Sequence, residues 1–351
     1  MKIVNVMISK KLGGIEQAFL DYTKGLLLKK HQVMLVADKK TKLKAQMENL
    51  PISKKILINF THYNYFLVPV LYFKLKKFAP EVIIVHNKKA IPIFKMVARL
   101  LKAKIIGVSH NPKFKKIGAC DAIFTITQYQ KNIFSAHFDK EKIFVIPNMI
   151  TQKIAYSERK GFQNPPKICT MGRFDPMKGF PDFLRALAIL KKQKVPFKAV
   201  IGGEKQKEYP KEFEKMQKII AENNLQNDVE FCGWVKDKEA FFAQTDVFVL
   251  PSVYEPFGIV VLEALLHSVP LVTSLAEGPA EIFANHADCA KTFEVGNYEQ
   301  MAERLKEVLA DFDKAKSMAK EGYMLCQKEY MIESVADKLD SALKKVITAE
   351  C

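Results

Sequence analysis

Short, uninterrupted apolar runs separated by segments of helical period constrain this chain more than any other feature. Residues 33–37, 56–58, 82–85, 105–108, 122–125 and 143–146 are such runs, and residues 2–9 open the series. A strand that is apolar on both faces is buried on both faces, which is the signature of a parallel sheet covered by helices. Between the first two runs, Ile15, Phe19, Tyr22, Leu26 and Leu27 repeat at helical spacing over residues 15–30. The pattern breaks at residues 147–166, which are polar, lack a clear period and end in Pro165-Pro166. It then resumes with strand-like runs at 168–171, 199–201, 229–231, 247–250 and 271–273.

At 351 residues the chain is long for one core and suits two domains. The reading is α/β: two Rossmann-like domains facing each other across a cleft. Residues 1–150 form the first, 151–166 a linker, 167–331 the second and 332–351 a C-terminal helix. The only two Gly-Gly doublets, Gly13-Gly14 and Gly202-Gly203, each follow a strand early in their half. No apolar run is long enough to span a bilayer, and the N-terminus lacks a small-residue cleavage site. The six cysteines are scattered without C-x-x-C, as in a reduced cytosolic protein. Charge is uneven. Residues 1–150 hold 26 Lys and one Arg against eight acids, a net of +19, whereas residues 151–351 come to −2. That split points to a polyanionic partner for the first half.

The most telling stretch is Glu255-Pro256-Phe257-Gly258-Ile259-Val260-Val261-Leu262-Glu263. It follows the run at 247–250 and opens a helix, whose first amides lack intrahelical acceptors and sit at the positive end of the dipole. Such a place favours phosphate or a developing anion. Carboxylates flanking it would repel phosphate but accept well from hydroxyls. Hydroxyls on both sides of a diphosphate describe a nucleotide sugar. A second strand-to-helix turn, Gly172-Arg173-Phe174-Asp175-Pro176-Met177-Lys178-Gly179, offers a fork and a point charge that suit a diphosphate. The plain alternative is a solvated, capped turn. Gly13-Gly14 lets backbone approach a ligand closely, or is simply a tight turn. His110 ends the run at 105–108, where ligands of parallel sheets bind, and His86 is the second choice. His31 and His62 read as structural or exposed. There is no Asp-x-Asp loop, and no His/Cys cluster has metal spacing.

The form E-P-F-G-x4-E-A, with G-R-x4-K-G and G-G-x-E, resembles the retaining GT-B glycosyltransferases of family 4. That group includes bacterial enzymes of lipid and lipopolysaccharide glycosylation, and the resemblance extends along most of the chain. It implies transfer of a hexose from a nucleotide diphosphate sugar, with retention and without a metal or other cofactor. Arg173 and Lys178 would stabilise the leaving diphosphate. Glu255, with Phe257, Gly258, Ile259 and Val260, would hold the sugar, and Glu263 the ribose. Gly13 and Gly14 would lie against the donor phosphates, His110 near the reaction centre, and Val235 at the base. Glu16 is an acceptor contact or a first-turn acid complementing its helix dipole. Two departures stand out: Glu277 replaces the first Gly of a G-G-x-x-E turn, and Met149 replaces the Gly of P-N-G-I-D, so the backbone there must differ or be strained.

The expected acceptor is a lipid-linked or anionic saccharide, with the first domain docked on an anionic membrane surface. Lys lies beside apolar residues in Tyr72-Phe73-Lys74-Leu75-Lys76-Lys77-Phe78 and Lys113-Phe114-Lys115-Lys116-Ile117. The bland alternative packs those aromatic residues in the core. Rival functions are an epimerase or phosphorylase on the same plan. A nucleic-acid-binding protein is disfavoured because residues 1–150 carry no recognition motif.

Overall fold

The computed structural model describes residues 1–10, 13–52, 54–61, 64–113 and 116–348. His62, Phe114 and Lys115 lie outside the described residues. The chain divides into two compact units, Met1–Thr151 with Tyr330–Cys351, and Gln152–Glu329.

The first unit runs β1 (Lys2–Met7), α1 (Gly14–Leu28), β2 (Gln32–Asp38), α2 (Lys44–Glu48), β3 (Lys54–Ile58), α3 (Leu67–Lys76), β4 (Val82–Val85), α4 (Ile91–Leu101), β5 (Lys104–Ser109), β6 (Ala122–Thr125), α5 (Gln128–Ser135) and β7 (Ile143–Val145). Its strands pair in parallel in the order β3-β2-β1-β4-β5-β6-β7. The order reverses between β1 and β4. Every residue of β4 and β6 is buried, which is why those segments lack polar alternation. Leu43 and Met47, beside and within α2, share one core layer with residues of α1, and α3, α4 and α5 contribute to the other.

The second unit runs β8 (Lys167–Met171), α6 (Phe180–Lys192), β9 (Lys198–Gly202), α7 (Pro210–Glu222), β10 (Val229–Gly233), α8 (Lys238–Ala243), β11 (Val247–Leu250), α9 (Ile259–Leu266), β12 (Leu271–Ser274), α10 (Glu277–Phe283), β13 (Lys291–Phe293), α11 (Tyr298–Ala310) and α12 (Phe312–Leu325). The parallel order is β10-β9-β8-β11-β12-β13, reversing between β8 and β11. Strand β13 is absent from the sequence reading. It spans Lys-Thr-Phe at the sheet edge, and only Phe293 is buried, so it leaves no apolar run.

A π turn at Cys326–Tyr330 leads into α13 (Ile332–Thr348), which packs against α1 and completes the first unit. A Cβ on Gly25 would meet the Ala336 Cβ at 3.5 Å and the Met149 Sδ at 3.6 Å, so a small residue at 25 sets the helix approach. His31 Nε2 meets Asp340 Oδ1 at 3.0 Å, and Lys29 pairs with Asp337. His31 is thus structural. Residues 152–163 form no helix or strand, while Ile150 bridges Met331 in parallel. Strain at Met149 is corrected here: positive φ at non-glycine positions does not include it, and its side chain is buried in the core that α1 and α13 share.

Candidate functional site

In an open parallel sheet the loops after the two strands flanking the order reversal lie side by side and receive ligands. In the second unit these are the loops after β8 and β11, which carry the two motifs. They are stitched together by backbone. The amides of Val253 and Tyr254 donate to the Met177 carbonyl at 2.8 and 3.3 Å. Asp175 caps the turn by accepting from the Met177 amide at 3.0 Å. Gly179 has φ +66°, and a Cβ there would stand 1.9 Å from the Pro251 carbonyl oxygen, so no other residue fits without moving the loop.

The stitching brings charges together. Lys178 Nζ donates to Glu255 Oε2 at 2.6 Å, and both side chains are mostly buried. Glu255 is fixed through its own backbone, because its carbonyl accepts from the Gly278 amide at 2.9 Å. Gly258, at φ +93°, starts α9 immediately beyond. The Val261 amide donates to the Gly258 carbonyl at 2.9 Å, while the two amides before it, those of Ile259 and Val260, precede any intrahelical acceptor, and the helix dipole favours negative charge beside them. The departure at Glu277 is accommodated: its carboxylate takes the Glu255 amide at 3.4 Å, and the following glycine is the one the fold needs. A Cβ on Gly278 would lie 2.3 Å from the Phe257 Cα and carbonyl oxygen.

Arg173 stands apart from that pair. Its side chain is 63% exposed, and its guanidinium meets Asp175 at 3.5 Å. The backbone around it is held by Phe174, which packs among Phe180, Phe213 and Phe231. Gly203 lets β9's end touch this turn, since a Cβ would sit 2.0 Å from the Gly172 carbonyl oxygen. Val235 packs on the neighbouring Gly202, where a Cβ would come within 2.4 Å of its Cγ2. Glu263, inside α9, pairs with Lys238 at 2.5 Å. Burial raises the Glu263 carboxyl, and the lysine charge opposes that rise.

In the first unit the reversal lies between β1 and β4, and the neighbouring strand is β5. His86 follows β4 and His110 follows β5, with His86 Nδ1 and His110 Nε2 3.2 Å apart and their rings stacked. Tyr22 and Phe19 of α1 meet the His86 ring edge-on. Burial, then the neighbouring histidine, holds His86 well below the usual imidazole range. His110 is pushed down to about 3 by burial, with the Lys88 charge adding to it. Both rings are therefore neutral at pH 7, so one donates to the other. His86 Nε2 is buried without a partner. An orphaned lone pair is tolerated more readily than an orphaned N–H, so the His86 proton belongs on Nδ1. His110 then accepts at Nε2 and carries its own proton on Nδ1, free to donate.

Lys88, two residues past His86, donates to the Asn111 carbonyl and side-chain oxygens at 3.2 and 3.0 Å, and to Lys113. Burial lowers its ammonium to about 8, helped by the Lys113 charge. Glu16, in the first turn of α1, is buried, and its Oε2 lies 3.3 Å from where a Gly13 Cβ would be. Gly13 itself is extended, at φ −177°, so its use is space and not handedness. Gly14 begins α1.

Residues 12–152 match the family described as Glycosyltransferase Family 4, and residues 152–324 match Glycosyl transferases group 1. Together these two glycosyltransferase models span residues 12–324, and the chain belongs to the glycosyltransferases. The lipopolysaccharide core biosynthesis glycosyltransferase LpsE of Rhizobium meliloti is 28% identical over 202 residues, 56% of this chain and 56% of that protein. The uncharacterized glycosyltransferase YqgM of Bacillus subtilis is 27% identical over 211 residues, 59% of this chain and 56% of its own. The aligned part thus spans just over half the length of these curated relatives. A glycosyltransferase from Rickettsia africae superposes with a TM-score of 0.86 at 17% identity, covering 99% of each chain. Anabaena HepE, in complex with UDP and glucose, gives 0.80 at 19% identity, covering 98% of this chain and 99% of that one. At such identities the likeness is one of fold.

Within this glycosyltransferase the structure joins Lys178 to Glu255 and sets Phe257 and Gly258 beside them. It places Glu263 farther along the same helix with a different lysine and leaves Arg173 on the turn surface. Gly13, Gly14, Glu16 and His110 belong to the other unit. Sequence reasoning missed Lys238 and Lys88. Lys238 has no motif around it. Lys88 had a signal, lying just beyond a buried strand that ends in a histidine.

Proposed function

We propose that the chain transfers a hexose from a nucleoside diphosphate sugar to a lipid-linked or lipopolysaccharide-type saccharide, with retention and without a divalent ion. The observation carrying this is the Lys178–Glu255 pair at the sheet reversal, directly before the N-terminus of α9. It sets a cation, a hydroxyl-accepting carboxylate and helix amides in one place, which is the set a sugar diphosphate needs. Lys178, Arg173 and the amides take the charge that develops as the bond from the sugar C1 to the phosphate oxygen breaks. Glu255 accepts from sugar hydroxyls and Glu263 from the ribose. The acceptor oxygen bonds C1 on the face the phosphate leaves, and its proton goes to that phosphate. No other cofactor is proposed, since the nucleotide sugar is a substrate. The UDP complexes of HepE support UDP as the nucleotide. The relative acting in lipopolysaccharide core synthesis supports the acceptor class. We place the acceptor with the first unit, and the enzyme peripherally on the cytoplasmic face of the membrane.

A thermal-shift panel of UDP-, GDP-, ADP- and TDP-sugars tests the donor class, since a ligand of the native state raises apparent stability with occupancy. One nucleotide series should stand out, and the sugar product should keep the donor's anomeric configuration by NMR in the presence of EDTA. No shift with any of the four, or an inverted product, would end this reading.

A further inference from the structure

We infer that the outer face of α3 and α4 in the first unit docks on an anionic lipid bilayer. The inference deepens the proposed lipid-linked acceptor by naming the surface that meets its membrane, and it rests on that reading. Phe66, at the start of α3, is 88% exposed, and Phe73 is 73% exposed. Val70 lies between them and is also exposed. Residues 66, 70, 73 and 77 follow i, i+4, i+7 and i+11, so three apolar side chains and Lys77 share one face of the helix. The opposite face, with Val68, Leu71 and Leu75, is buried in the core layer. Helix α4 packs beside α3 and repeats the arrangement: Phe94 and Val97 are buried, while Met96 and Leu100 are about half exposed. The alternative that packs Tyr72, Phe73 and Phe78 in the core fails for Phe73. An apolar patch of this kind on a folded surface marks an interaction site.

Its charges choose the partner. Lys74, Lys76 and Lys77 on and after α3, and Lys95, Arg99 and Lys102 on and after α4, are all exposed. Among the described residues, Lys74, Lys77, Arg99 and Lys102 form no ion pair. Residues 49–120 contain thirteen Lys and one Arg against one acid, Glu81. That acid is engaged elsewhere, accepting from the Lys2 amide at 2.7 Å. Apart from tyrosine, residues 65–77 and 91–101 have no hydroxyl, amide or carboxylate side chain with which to read a protein or a base edge. Large apolar side chains ringed by unpaired cations fit the interface of an anionic membrane, where the former enter the acyl boundary and the latter meet headgroups. No helix of the described residues is long and apolar enough to cross a membrane, so attachment through this face is at the surface.

Sedimentation of the full chain with phosphatidylglycerol-containing and pure phosphatidylcholine vesicles decides it. The wild type should bind the anionic vesicles at low salt, bind neutral ones weakly, and dissociate as salt screens the headgroups. Phe66→Ser with Phe73→Ser should weaken binding by about tenfold or more, and Lys74→Glu with Lys77→Glu by a factor of at least about twenty-five. Both doubles should keep the wild-type circular dichroism melt and nucleotide-sugar thermal shift. If the wild type ignores anionic vesicles, the membrane reading itself falls. If it binds but neither double variant weakens it, this surface is wrong while the membrane reading stands. If the phenylalanine variant instead splits a dimer in light scattering, a second copy is the occupant and the inference is overturned.

Discussion

Mild acid should destabilise the first unit through His86 and His110, and the size of the effect follows from their burial. Both imidazoles lie below the ordinary range in the folded chain, His110 at about 3. Between the folded and unfolded values the unfolded chain takes up a proton that the folded chain refuses, so stability falls as pH drops below the unfolded value. With an unfolded pKa of about 6.5 and His110 at about 3 when folded, going from pH 7 to pH 5 costs about 2 kcal/mol through His110, and His86 acts in the same direction. Lys88, at about 8 when folded, is mainly protonated in both states over this interval and adds little. His31 is also lowered, by burial first and then by the N-terminal charge, and acts in the same direction. Urea unfolding at the two pH values, followed by circular dichroism, measures the loss. Trp234, the single tryptophan, reports the second unit separately by fluorescence. That unit holds one depressed imidazole, His267, and should lose less. His110→Gln should reduce the acid loss of the first unit by about 2 kcal/mol. An unchanged loss in that variant, or NMR showing His110 protonated at pH 5, would refute the buried-pair reasoning.

Arg173→Ala and Lys178→Ala should each lower turnover by about 10²–10³, the usual cost of removing a preorganised charge stabiliser; steady-state kinetics returning wild-type rates for both would remove them from the chemistry. Glu263→Gln should weaken free nucleoside diphosphate in calorimetry, whereas Glu255→Gln should spare that binding and slow transfer; equal effects would contradict the division of roles. Gly278→Ala drives a Cβ into the Phe257 backbone and should cost about 1–3 kcal/mol together with nucleotide affinity. Gly233→Ala, at φ +73° in open space, should cost about 1–2 kcal/mol and leave affinity alone. Indistinguishable melts and affinities for the two glycine variants would show that close approach at Gly278 does not shape the site.

Period and apolar continuity made the strands legible, because full burial on both faces removes the alternation of polar and apolar residues. Val82–Val85, Ala122–Thr125 and Val247–Leu250 coincide with their runs. Burial on one face only, as in β13, erased the same signal. Motif spacing located Lys178 and Glu255 in the right loops but not their contact, since that depends on β8 lying beside β11, and strand order leaves no local mark. The same gap hid Lys238 beside Glu263, and the stacking of His86 on His110 across β4 and β5. A glycine's purpose was equally out of reach. Gly179 and Gly278 are required by the backbone of segments distant in sequence, not by their own neighbours.

The excess positive charge and the catalytic candidates turn out to be separate matters. Lys178 meets Glu255, Lys238 meets Glu263, Arg173 meets Asp175, and Lys88 is spent on oxygens of the loop after β5. Lys178 and Lys88, the two that are partly buried, must be compensated in this way, because leaving such a cation without partners costs several kcal/mol. The candidate site therefore contributes little to a net charge of +17. The surplus lies on surfaces such as α3 and α4, where water solvates an unpaired lysine at almost no cost. Net charge there speaks about association, not fold. It follows that reversing Lys74 and Lys77 should alter where the protein resides without changing how it binds its donor. Reversing Lys178 should do the opposite.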